Sequence, residues 1–107
     1  PTAVIKTMIE SWNSSAPTMI DSTTRFDGVE LREKNRIVTD FTLVEYRGGE
    51  VSQSDLLEVF LPKLQSGSCS DPELSELRAQ GYTFTYRYSG NDSIHIGSLE
   101  VQGPCVD

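Results

Sequence analysis

The apolar positions of the chain change period several times, and each change marks an element. Val4, Ile5, Met8, Ile9 and Trp12 recur at helical spacing, with Lys6, Glu10 and Ser11 on the other face. That spacing predicts a first helix with one buried stripe and Thr2 as its N-cap. Asn13-Ser14-Ser15-Ala16-Pro17 ends it, and Pro17 to Asp21 reads as a short turn into extended chain. β-Branched and aromatic residues then fill Thr23 to Glu33 and Arg36 to Tyr46, two strands joined by a polar turn at Lys34-Asn35 and expected to form an antiparallel hairpin. In the second strand Ile37, Phe41 and Leu43 share one face while Val38, Val44 and Tyr46 share the other. This is the pattern of a central strand covered in part on both sides.

Gly48-Gly49 breaks the sheet. Ser52-Gln53-Ser54-Asp55 then fits a capping box ahead of Leu56, Leu57, Val59, Phe60, Leu61 and Leu64, which predicts a helix with a wide apolar face, kinked or shortened at Pro62 and closed by Gly67. A shorter helix follows, with Asp71 as N-cap, Pro72 at its first position, Leu74 and Leu77 facing inward and Gly81 just past its end. Tyr82, Phe84, Tyr86 and Tyr88 alternate with Thr83, Thr85 and Arg87 in strand period, and Gly90-Asn91-Asp92 supplies a turn. On the returning strand Ile94 and Ile96 have one parity and Leu99 and Val101 the other. A bulge at Gly97-Ser98 would bring both pairs to the core. The order α-β-β-α-α-β-β suits one α+β domain over residues 1–107, built in two layers as a four-stranded antiparallel sheet with helices on one face.

The cysteines add a covalent constraint. Cys69 lies in the Gly67-Ser68-Cys69-Ser70-Asp71-Pro72 segment and Cys105 follows Gly103-Pro104, so both fall in loops at element ends. A disulfide between them closes a loop of roughly 36 residues, worth about 4 kcal/mol in the chain-entropy estimate, and implies an oxidising compartment. The competing reading is two unrelated buried thiols.

Nine basic against sixteen acidic residues give a net charge of −7, which repels phosphate backbones and anionic lipid and makes nucleic acid a poor partner. No apolar run approaches the ~20 residues of a membrane span. The first residue is Pro1, which leaves a leader or a lipid anchor upstream of it open.

Candidate chemistry is sparse. His95 is the only histidine, on the strand face opposite Ile94 and Ile96, and no partner spacing marks it as a base, so no catalytic residue is assigned. No His-Glu-x-x-His run or short-range cysteine pair points to a metal, and no phosphate loop or dinucleotide fingerprint points to a cofactor. Asp55 with Glu58, and Glu73 with Glu76, read as solvated helix faces. The row Tyr82, Phe84, Tyr86, Tyr88 reads as core, or as a recognition surface if the far face of the sheet is open. Arg32, Lys34 and Arg36, with Glu33 between them, form the one concentrated basic patch, a solvated turn or a dock for an acidic partner.

Cys69-Ser70-Asp71-Pro72, Gly81-Tyr82, the following hairpin and the terminal Cys105 together resemble the α/β, disulfide-containing pilotin lipoproteins of type II secretion systems, over roughly residues 40 to 107. The first hairpin, from Thr24 to Val29 and through Phe41 to Val44, is also similar to small secreted bacterial proteins with no assigned activity. The pilotin resemblance implies a periplasmic or secreted, non-enzymatic chaperone or adaptor that grips a short secretin segment between helix and sheet. Leu56, Leu57, Phe60 and Leu64 are then the candidate partner-binding face. The lipidated cysteine of a pilotin would lie upstream of Pro1. A second class, a small ligand-binding or enzymatic domain, requires a pocket of converging polar groups near His95, Tyr86 or Asp40. Nothing in the sequence blocks both sheet edges, so monomer and homodimer both remain open.

Overall fold

The computed structural model describes residues 2–33 and 35–105, with the side chains of Thr2 and Ala3 left out. The cap expected at Thr2 and the place of Lys34 in the basic turn therefore lie outside what is described. Helix α1 (Thr2–Asn13) buries Ile5 and Ile9, one turn apart, and packs Met8 and Trp12 partly against the same core. A cis Ala16–Pro17 peptide leads into β1 (Thr18–Met19), and β2 (Thr24–Arg32) and β3 (Arg36–Leu43) form the expected antiparallel hairpin. Beyond a 3-10 turn at Gly48–Glu50 come α2 (Gln53–Val59), α3 (Leu61–Ser70) and α4 (Pro72–Ala79), and then the hairpin β4 (Thr83–Gly90) and β5 (His95–Val101).

The sheet corrects the four-stranded antiparallel expectation: it has five strands in the order β1-β2-β3-β4-β5, and β3 pairs with β4 in parallel. The extra strand is the segment read as a turn, where Thr18 and Met19 oppose Phe26 and Arg25; two residues are too few to show a period. The parallel pair follows from the connection. Three helices carry the chain from Leu43 back to Thr83, beside Arg36, so β4 starts at the same end as β3. A crossover of this kind is what parallel neighbours require.

Local chemistry sets the helix ends. Ser52 Oγ accepts from the Asp55 N–H at 3.1 Å while the Asp55 carboxylate accepts from the Ser52 N–H at 2.9 Å. Pro62 falls in the first turn of α3, where a missing N–H leaves nothing unpaired, so the expected kink is a full stop and restart at Phe60. Gly67 does not close the helix. Its carbonyl accepts from the Asp71 N–H at 3.2 Å and α3 runs on to Ser70, which puts Cys69 in a last helical turn rather than a loop. Pro72 is the terminator, because the residue before a proline is driven extended, as Asp71 is (φ −88°, ψ 119°). Asp71 then caps α4 through Oδ1, accepting from Glu73 N–H at 2.9 Å and Leu74 N–H at 3.3 Å. Gly81, at φ +96°, turns the chain out of α4 as expected.

The helices cover one face. Phe84, Tyr86 and Tyr88 point into it with Ile37, Phe41 and Leu43, which resolves the tyrosine row as core. The β5 bulge sits one residue earlier than expected, at Ile96, since Gly97 opposes Tyr88 while His95 opposes Ser89. Leu99 and Val101 are buried and Ile96 packs at the margin, but Ile94 stays 56 % exposed. Ile94 instead lies over the 3-10 turn, so close to Gly48 that a Cβ there would stand 2.6 Å from it.

The disulfide Cys69–Cys105 is formed, with Cα atoms 5.6 Å apart across a separation of 36 residues. Beside it lies a residue that the sequence reading passed over. Arg78 is buried, and it donates to the Gly103 and Gln102 carbonyls at 2.9 and 3.1 Å and to Ser68 Oγ at 2.9 Å. One guanidinium thereby ties α3, α4 and the tail together around the covalent link.

Candidate functional site

α1 packs over β2, whereas α2 and α3 pack over β5, so the helices part above the middle of the sheet. The floor of the gap is aromatic: Phe26 from β2, Phe41 from β3 and Tyr86 from β4. Phe41 stacks on Tyr86 and on Tyr88, with centroids 6.0 and 5.2 Å apart, and Tyr88 stacks on Phe60 at 4.9 Å. Ser11 and Trp12 of α1, with Ser15 just past its end, form one wall, Asp71 and Leu74 at the start of α4 form the other, and the cavity measures about 420 Å3. Past Ile20 and Phe41 it continues into a hollow of about 140 Å3 between Phe60, Leu64, Lys63, Tyr88 and Thr24. A third hollow, of about 390 Å3, extends from Asp21, Phe60 and Lys63 to Tyr46, Val51 and Val59. Shared lining residues make the three one trough.

Burial pushes the Tyr86 phenol up to about 12, and burial together with nearby Tyr86 and Asp21 raises that of Tyr88. Both rings are therefore neutral walls, not acids. Asp21 is held below the usual carboxylate range, chiefly by the Thr23 N–H, and it also accepts from the Thr24 N–H at 2.8 Å. It stays ionised at the mouth of the trough.

The sequence-derived partner face divides. Phe60 and Leu64 line the trough, Leu56 is wholly buried beneath, and Leu57 is exposed and lines none of the three hollows. Trp12, Ile20 and Phe26 were not assigned to a site from sequence, and Tyr86 was named only for a recognition surface on an open sheet face or a pocket near His95. The one hint was Met19-Ile20, apolar in a stretch read as turn; Ile20 is 56 % exposed at the junction of two hollows.

The alternative pocket lies on the opposite, polar face of the sheet. Asp40, Arg87, Ser89, His95 and Ser98 line an open depression there, while Tyr86 faces the helices. Arg87 forks onto Asp40 through Nε and Nη2 at 2.6 and 2.9 Å, which consumes both charges. His95 is exposed and its imidazole makes no hydrogen bond among the described residues, so no partner orients the ring. Neighbouring cations are also paired. Arg36 bonds Thr85 and Glu100, and Arg32 bonds Glu30, so the described members of the basic turn are neutralised. Among the described residues no three His, Cys, Asp or Glu side chains converge to hold a metal, and no helix is long and apolar enough to cross a membrane.

No family model and no curated protein sequence matches this chain. Solved structures do match its fold. A protein from Pseudomonas aeruginosa described as secreted superposes with a TM-score of 0.76 at 13 % identity, covering 94 % of this chain and 87 % of its own. EpsS, the pilotin of the Vibrio vulnificus type 2 secretion system, gives 0.72 at 11 % identity over 94 % and 86 %. AspS, the type II secretion system pilotin of Vibrio cholerae, gives 0.68 at 6 % identity over the same shares. The likeness to pilotins and to a secreted protein thus extends in fold beyond the C-terminal two-thirds, to nearly the whole chain.

Proposed function

We propose that this chain is an extracytoplasmic, non-enzymatic binding module that holds a short segment of a protein partner in the aromatic-floored trough, as an adaptor of the pilotin kind acting on a secretin segment. The observation that carries this reading is the trough itself: an open apolar channel whose floor of Phe26, Phe41 and Tyr86 offers contact area and no reactive group. Apolar grooves of this form take an amphipathic helix by burying the side chains of its apolar face, at i, i+3, i+4 and i+7. The fold shared with two pilotins favours the same role, and a disulfide suits an oxidising compartment such as the periplasm. The polar depression at His95 favours no enzymatic reading, because its carboxylate and guanidinium neutralise each other.

Trp12 is the only tryptophan and lines the trough, so its fluorescence reports occupancy directly. Overlapping peptides spanning a type II secretin encoded in the same genome, titrated into the folded chain, should include one that binds saturably and shifts Trp12 emission. Ile20→Glu should weaken that binding at least roughly tenfold with little effect on stability, because Ile20 is exposed. Binding that is lost on His95→Ala and indifferent to Ile20→Glu would move the site to the other face.

A further inference from the structure

Between Ile20 and Phe60 the trough narrows to the hollow of about 140 Å3 that Thr24 helps to line. Thr24 is 2 % exposed, and its Oγ1 is the one buried side-chain polar atom among the described residues with no hydrogen-bond partner. Both of its backbone groups are in use: the N–H donates to Asp21 Oδ1 at 2.8 Å and the carbonyl accepts from the Ile20 N–H at 2.9 Å. The hydroxyl alone makes no full hydrogen bond; the Asp21 carboxylate is near enough to feel it but is already held by the Thr23 and Thr24 N–H groups. A valine would fill the same volume without a desolvated hydroxyl, so the threonine is worth its presence only when something meets it. The surrounding walls are Ile20, Phe41, Phe60, Leu64 and Tyr88. A charged tip would lose its hydration against those rings, whereas a neutral hydroxyl or amide on an apolar stem would satisfy Thr24 and fill the space.

The charge along the lining is one-sided. Asp21, Glu50, Asp55 and Asp71 border the trough against the single cation Lys63, in a chain of net charge −7. Such a rim attracts a basic segment and repels an acidic one.

Building on the binding-module reading, we propose that the docked segment is amphipathic with basic flanks, and that it anchors by inserting one neutral polar-tipped side chain, of threonine or asparagine size, to hydrogen-bond Thr24. The probe is a set of synthetic amphipathic helical peptides with one common apolar face, lysine or glutamate flanks, and threonine, asparagine or valine at the centre, titrated against Trp12 fluorescence. Lysine-flanked peptides should bind roughly tenfold tighter than glutamate-flanked ones at low salt, with the gap closing as salt rises. Threonine or asparagine at the centre should gain roughly fivefold over valine, the worth of one neutral hydrogen bond. Thr24→Val should erase that gain while leaving the valine peptide bound as well as before. Binding indifferent to flank charge and central residue, or a threonine preference that survives Thr24→Val, overturns this inference and leaves the binding-module reading standing. Failure of every peptide to bind overturns both.

Discussion

Gln53 pairs with the backbone of Ser98 through both ends of its amide: Nε2 donates to the Ser98 carbonyl at 2.8 Å, and Oε1 accepts from the Ser98 N–H at 3.0 Å. One side chain at the start of α2 thereby does for the edge strand β5 what another strand would do. Asn13, at the end of α1, does the same at the opposite side of the sheet, donating to the Val29 carbonyl at 2.7 Å and accepting from its N–H at 2.8 Å. Since β1 covers only the first part of β2, this amide continues the pairing where β1 stops. Exposed edges invite pairing with other chains, and two amides blunt both here.

Removing the Gln53 plug should therefore have two effects. Gln53→Ala is expected to destabilise the chain by about 1–2 kcal/mol, the net worth of two hydrogen bonds, and to raise concentration-dependent self-association. Gly97→Ala should act through the same contact, because a Cβ there would stand 1.9 Å from Gln53 Oε1 and push the amide away. Denaturant midpoints of the two single variants and the double variant would show the coupling: the second change should cost little once the first is made. Additive losses would mean that Gly97 is required for some other reason.

Arg78 carries a buried cation with only neutral acceptors around it, the Gln102 and Gly103 carbonyls and Ser68 Oγ, and its Nη1 lies 2.9 Å from Cys69 Sγ. Arg78→Met keeps much of the volume but strands those carbonyls, and should cost about 1–3 kcal/mol with the disulfide intact. Replacing both cysteines by serine should cost up to about 4 kcal/mol, the entropy of the closed loop. The two losses should fall short of additive, because with the tail untethered the Arg78 bonds to it are already weakened. Urea titration of all three variants, with a thiol assay to verify oxidation, decides this.

What was legible in the sequence was whatever a few neighbouring residues determine. Asp71-Pro72 and Ser52 to Asp55 announce their caps, the alternation from Tyr82 to Tyr88 shows its strand, and Cys69 and Cys105 flag their link. The parallel pairing of β3 with β4 was not legible, since alternation within a strand says nothing of which neighbour it meets or in which sense. Gly67 misled for a related reason: glycine ends a helix only where φ must turn positive, and here the proline after Asp71 does that work. The trough was hidden most completely. Trp12, Ile20, Phe41 and Tyr86 come from four separate segments, and each reads as ordinary core or turn until helices fail to meet above them. The partner face read from α2 and α3 found one wall, Phe60 and Leu64, because an apolar helix stripe is visible locally; it included Leu56, whose complete burial depends on the close approach of α2 to Gly97.

Thr24→Val should raise the stability of the free chain by about 1 kcal/mol, since it removes a buried hydroxyl that lacks a partner and preserves shape. Most core substitutions destabilise, so the sign alone is informative. A thermal midpoint lower than that of the parent would mean that the nearby Asp21 carboxylate, or a water, already satisfies the hydroxyl.

The pH response has opposite signs at the two ends of the scale. Tyr86 holds its proton more tightly folded than unfolded, with its phenol raised by burial from 10.0 to about 12, and Tyr88 is raised as well. Below pH 10 both states are protonated and the stabilisation is fully present; as pH climbs from 10 toward about 12 the unfolded chain releases the proton first and stability falls. Asp21 works the other way, since its carboxyl is lowered from 3.8 and its contribution is present above that value and lost as pH drops through the folded one. Urea midpoints across the range should therefore decline below about pH 4 and above about pH 10. Tyr86→Phe should make the alkaline limb shallower, with Tyr88 supplying the remainder, and leave the acid limb unchanged, while Asp21→Ala, which removes the carboxylate that organises Thr23 and Thr24, should make only the acid limb shallower, with Asp92 supplying part of what is left. An alkaline limb of unchanged slope in Tyr86→Phe would show that this phenol is not what couples folding to high pH.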